Sequence, residues 1–72
     1  MHFKVATDEI IACCRLGDVA EALDVSLSLV NKARMGRGDP SYRVPPNGWQ
    51  ETLARLARRR AKELEQLAKE LT

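Results

Sequence analysis

Leu16–Met35, LGDVAEALDVSLSLVNKARM, contains two short amphipathic segments joined by a tight turn. The first runs from about Asp18 to Leu23 and turns Val19, Ala20 and Leu23 inward. The second follows Ser26 and ends near Met35, with Val30 and Ala33 at helical spacing on one face. Ser26 is placed to cap it, because a serine hydroxyl accepts from a free amide of the first turn. Asp24 stands where the chain reverses, and aspartate enters left-handed backbone more readily than most residues. Gly36 suits the position just past the helix end, where Arg34 and Arg37 favour the negative end of its dipole. Two helices across a three-residue turn set the pattern for an all-α fold.

Upstream, Thr7 is predicted to cap a helix over about Asp8–Leu16, with Asp8 and Glu9 suiting its positive end. Ile10, Ile11, Cys13, Cys14 and Leu16 make that helix apolar on more than one face, so it should be largely buried. Gly17 is expected to end it and Asp18 to cap the next. Residues 1–6, MHFKVA, alternate weakly and are expected to clasp the domain through Phe3 and Val5 as strand or coil.

Downstream, residues 36–48, GRGDPSYRVPPNG, form a loop of helix breakers. Asn47 then caps a last helix over about 48–71, with Gln50 as capping-box partner. Trp49, Leu53, Leu56, Ala57, Ala61, Leu64, Leu67, Ala68 and Leu71 recur in steps that make one stripe. At 1.5 Å per residue this helix is roughly 35 Å long, about the width of the whole domain. Its distal leucines should overshoot the other helices. Leu64, Leu67, Ala68 and Leu71 are therefore the expected contact with a second copy. Ala57, Leu64 and Leu71 at a, with Leu53, Arg60 and Leu67 at d, give an imperfect heptad. Arg60 argues against a tight zipper, and the sequence leaves parallel and antiparallel pairing open. The expected fold is a single all-α domain over 1–72: three short helices plus a long C-terminal helix.

Seventy-two residues bury little core, which favours a partner chain. The net charge of +2 hides a gradient. Residues 1–27 carry two bases against five acids, residues 28–50 four against one, and residues 51–72 six against four. The basic excess starts at the second helix of the central pair, which suits a polyanionic partner. Arg58, Arg59 and Arg60 spread around their helix and, with expected Glu51–Arg55 and Arg59–Glu63 pairs, suggest a solvated surface. Cys13 and Cys14 are adjacent, so they do not form an ordinary disulfide. No metal spacing, phosphate loop or catalytic constellation is present, so neither an enzyme nor a cofactor is expected. No apolar run is long enough for a membrane span or a secretory leader. A cytoplasmic protein with no small-molecule substrate is the expectation.

Val19, Ala20, Leu23, Asp24, Val25, Val30 and Ala33 fall in the order of a known signature. Over residues 16–35 the chain resembles the helix-turn-helix regulators of the Cro and lambda-repressor class. Ala20 fits because the two helices cross closely there. Two positions depart from the pattern. Asp24 replaces the usual glycine, and Ala33 stands where a bulky residue is common, leaving space for Met35 or Trp49. The resemblance implies a double-stranded DNA-binding transcriptional regulator, expected to be a homodimeric repressor. It implies base contacts from Ser26, Leu27, Ser28, Asn31 and Lys32 in the major groove. Arg34, Arg37, Tyr42 and Arg43 are the candidate phosphate contacts, although Tyr42 and Val44 equally suit a plug at the base of the domain. Leu29 lies on the more exposed side of the second helix, open to DNA, to the last helix or to another protein. The alternative is a protein-binding adaptor, an antiactivator or antitoxin, that keeps the fold and uses Leu27, Leu29 and the last helix.

Overall fold

The computed structural model describes residues 2–72 and contains four helices: α1 (Phe3–Ile10), α2 (Leu16–Leu23), α3 (Leu27–Ala33) and α4 (Trp49–Leu71). No strand occurs among the described residues. The domain is all-α, as the sequence predicts, with the last helix much the longest. Met1, the first residue of the expected clasp, lies outside the described residues.

The N-terminus differs from expectation. Residues 3–6 are helical, and Thr7 is the fully buried centre of α1 instead of its cap. The reason is the spacing of Phe3, Thr7, Ile10 and Cys14, which puts all four on one inward stripe. A buried hydroxyl must be satisfied, and Thr7 Oγ1 donates back to the Phe3 carbonyl at 2.9 Å while accepting from Arg34 Nε at 2.8 Å. With the helix shifted towards the N-terminus, Ile11 is left exposed and α1 ends at Ile10. Cys14 is buried, and that burial pushes its thiol up, with the Cys13 thiol 3.8 Å away adding to the effect.

Gly17 and Asp18 also change roles. Both lie inside α2, which starts at Leu16. Asp18 sits in the first turn, where its carboxylate accepts from the Arg15 amide at 2.9 Å. The same residue still satisfies a free donor at the helix start, but from within the helix.

The turn after α2 follows the sequence closely. Asp24 adopts φ 56°, ψ 46°, the left-handed region. The Val25 amide reaches back to the Ala20 carbonyl at 3.0 Å, and the Asp24 amide to Glu21 at 3.1 Å. These are the two bonds of a Schellman stop. Ala20 is buried, and Val25 packs half-buried against the core. Ser26 Oγ then accepts from the Leu29 amide at 3.1 Å and opens α3.

α2 packs against both α3 and α4, and α1 against α4. Val19 and Val30 lie at the centre with almost no exposure. Trp49 meets Phe3 edge to face, with ring centroids 5.1 Å apart. Phe3, Trp49 and Ala33 line one cleft, so aromatic bulk from two other helices fills the side where α3 ends in alanine. Met35 remains exposed.

α4 starts at Trp49, one residue later than expected, so Gly48 and not Asn47 takes the cap position. Gly48 precedes the helix at φ 77°, a left-handed conformation that a side chain rarely adopts, and no side chain caps this end. Leu53 and Leu56 are buried, whereas every residue from 61 to 72 is exposed. Arg60 marks the boundary: Nε donates to the Cys13 carbonyl at 2.8 Å, and Nη1 pairs with Glu63 at 2.9 Å. That pair takes the place of the expected Arg59–Glu63 pair. The Glu51–Arg55 pair forms at 3.3 Å. The described chain measures 49 × 20 × 18 Å, because the last turns of α4 project beyond the packed helices.

Candidate nucleic-acid interface

α3 is held from one side only. Val30 and Ala33 anchor it in the core, and Leu29 is half-buried beside them. The opposite face carries Leu27, Ser28 and Asn31, all exposed, and Lys32 half-buried at its edge. Leu27 is 47 % exposed, so it, and not Leu29, is the apolar residue offered to a partner. Ser28, Asn31 and Lys32 stand at i, i+3 and i+4, hence in one row along the helix. Ser26 precedes the helix as its exposed cap. Its oxygen is engaged as a cap, but the hydroxyl keeps a proton to donate.

This row presents several kinds of recognition chemistry. Asn31 carries a donor and an acceptor on one planar amide, the set needed for the edge of adenine. Lys32 supplies a cation at the end of α3. Ser28 donates or accepts, and Leu27 offers an apolar contact that suits a thymine methyl.

The loop after α3 is folded back onto it. The Arg43 amide reaches the Lys32 carbonyl at 3.4 Å. Asp39 Oδ1 accepts from the Ser41 amide at 2.8 Å, and the Tyr42 amide bonds to the Asp39 carbonyl at 3.0 Å. These bonds place Arg43 beside the C-terminal end of α3. Its guanidinium is exposed and donates to the neighbouring Tyr42 carbonyl at 2.9 Å. Arg37 is exposed on the same loop. Tyr42 is half-buried in the cleft with Pro45 and Pro46, whereas Val44 is 75 % exposed and plugs nothing.

Arg34 differs from the other three candidate phosphate contacts. Its Nε donates to Thr7, and its Nη2 pairs with Asp8. Lys4 also pairs with Asp8, at 2.8 Å. The Lys4 ammonium first, and then the Arg34 guanidinium, hold the Asp8 carboxyl below its ordinary value of 3.8. Arg34 thus ties α3 to α1. Nothing in its position after α3 indicated this, because Thr7 was expected at a helix end and not facing α3.

The leucines assigned to a second copy lie on the projecting part of α4. Leu64 and Leu67 are about half exposed and Leu71 more so, with Ala68 exposed among them. No helix among the described residues is long and apolar enough to cross a membrane. No family model, curated protein or solved structure matches the chain.

Proposed function

We propose that this chain is a double-stranded DNA-binding transcriptional regulator, a homodimeric repressor of the cytoplasm, that acts by binding and not by catalysis. The observation that carries the proposal is the placement of α3. A left-handed Asp24 and a capping Ser26 set its start, Val30 and Ala33 hold its back, and Ser28, Asn31 and Lys32 face out in one row. A helix presented in this way fits the major groove, with its N-terminal half nearest the bases. Asn31, Ser28, Leu27, Ser26 and Lys32 read sequence, while Arg37, Arg43 and Tyr42 position the duplex through its phosphates. Pairing through Leu64, Leu67, Ala68 and Leu71 would set two such helices against successive grooves, about 34 Å apart.

The test is binding to duplexes from the protein's own upstream region against random duplexes over a salt series. Preference should survive competition and weaken steeply with salt. Asn31→Ala should lose about 1–3 kcal/mol of discrimination, whereas Arg37→Ala should weaken all sequences alike. Absence of any preference at low salt would overturn the proposal. That outcome would favour the adaptor reading, for which the exposed Leu27 is the supporting observation.

A further inference from the structure

The three consecutive arginines of α4 are divided by the fold. Arg60 turns to the Cys13 carbonyl and Glu63. Arg58 and Arg59 instead join Arg55 and Lys62 at i, i+3, i+4 and i+7, which is one stripe of a helix. This stripe lies away from the face formed by Leu53, Leu56 and the distal leucines. All four side chains are on exposed residues. They border a shallow depression of about 550 Å³ completed by Ala22 of α2 and by Thr52 and Leu56 of α4. No carboxylate lines it.

Lys4, Arg34 and Arg60 each pair with an acid within the fold. Arg58, Arg59 and Lys62 have no ion pair among the described residues, and the one Arg55 makes, with Glu51, is exposed at both ends. Arg15, Lys32, Arg37, Arg43 and Lys69 also make no ion pair among the described residues; what sets Arg58, Arg59 and Lys62 apart is that they stand side by side on one helix face. Arg55 with Arg59, and Arg58 with Lys62, are like charges at i,i+4, an unfavourable spacing on an isolated helix. A chain that builds i,i+4 and i,i+3 pairs elsewhere thus leaves three of these four cations unpaired, with Glu51 the one acid engaged. Small residues, Ala22 and Thr52, keep the ground beside it low.

We infer that Arg55, Arg58, Arg59 and Lys62 form a second, sequence-independent docking surface for the phosphodiester backbone of duplex DNA, separate from α3. The inference rests on the reading of the chain as a DNA-binding protein and extends it to α4. Seven residues of helix span about 10 Å. One DNA strand advances about 3.4 Å per phosphate, so that length faces about three phosphates. Guanidinium forks match phosphate oxygens in pairs, and three of the four groups are arginine. A lipid surface fits less well, because the one leucine beside the stripe, Leu56, is buried and no aromatic residue stands there to enter the acyl boundary. α2 packs on both α3 and α4, and the stripe shares no residue with the exposed row of α3, so the two are separate surfaces.

The test uses the full chain with Arg58→Gln, Arg59→Gln and Lys62→Gln combined, and a fluorescent duplex of mixed sequence, about 30 base pairs long, titrated across a salt series. Binding at low salt should weaken at least tenfold, and the slope of log K against log salt should fall by about 2–3. Arg58→Lys with Arg59→Lys should keep the slope. Asn31→Ala should show the reverse pattern, an unchanged slope with lost sequence preference. An unchanged slope in the triple variant, with unchanged circular dichroism, would overturn the α4 surface and leave the α3 reading standing. A reduced slope with a silent Asn31→Ala would overturn the α3 reading and support the α4 surface. Wild-type protein that binds phosphatidylserine vesicles but no duplex would overturn the choice of partner.

Discussion

Thr7 and Asp8 show how single side chains join parts of this fold that are distant in sequence. Thr7 gives its hydroxyl proton to α1 and its lone pair to Arg34, so one buried atom links α1 with the end of α3. Thr7→Val keeps the volume and removes both bonds. It should destabilise the protein by about 1–3 kcal/mol in chemical denaturation, since the Arg34 donor loses its partner. Asp8 adds a dependence on pH. Its folded value lies below 3.8, so its contribution is full above 3.8 and disappears as pH falls through the lower folded value. The gap in denaturation midpoint between wild type and Asp8→Asn should therefore be present at pH 7 and close in acid. The sequence suggested a different role for Thr7, because threonine before two acids matches a cap. The competing signal was Phe3–Thr7–Ile10–Cys14, which counts threonine as part of an apolar stripe. Ser26 raised no such conflict, since no inward stripe passes through it.

At the scale of elements, the stop between α2 and α3 determines where the candidate recognition face points. The sequence showed this turn clearly, because a tolerant residue, a buried valine and a capping serine occur together over Asp24–Ser26. Asp24→Gly should leave the melting temperature unchanged or slightly raised, as glycine adopts φ 56° freely. Asp24→Val should cost about 1–2 kcal/mol, because a branched side chain clashes in left-handed backbone. The boundaries of α1 and α2 were harder to read. Gly17 looked like punctuation, yet it lies within a helix whose start is satisfied by Asp18 from the third position. At the next boundary, Gly48 provides the left-handed residue before α4 that the neighbouring Asn47 suggested as a side-chain cap.

The molecule as a whole is a small packed body with a projecting helix. The stripe of leucines made the projection legible, and its length followed from residue count alone. The role of Arg60 was not legible, because the Cys13 carbonyl lies in a turn 47 residues earlier in the chain. Leu64→Glu combined with Leu67→Glu should leave helices α1–α3 intact and give a monomer by sedimentation. An unchanged profile would remove this part of α4 from the interface. The Arg60–Cys13 bond also separates an anchored half of α4 from residues 61–72, all of them exposed. A free helix of about a dozen residues is marginal in water. A partner that covered its leucines would therefore also help to keep that half wound, and under the proposed pairing association and the last stage of folding would be one equilibrium. With the proposed pairing of two copies, abundance would then tune shape: dilute chains would carry a frayed tail and concentrated chains a rigid one.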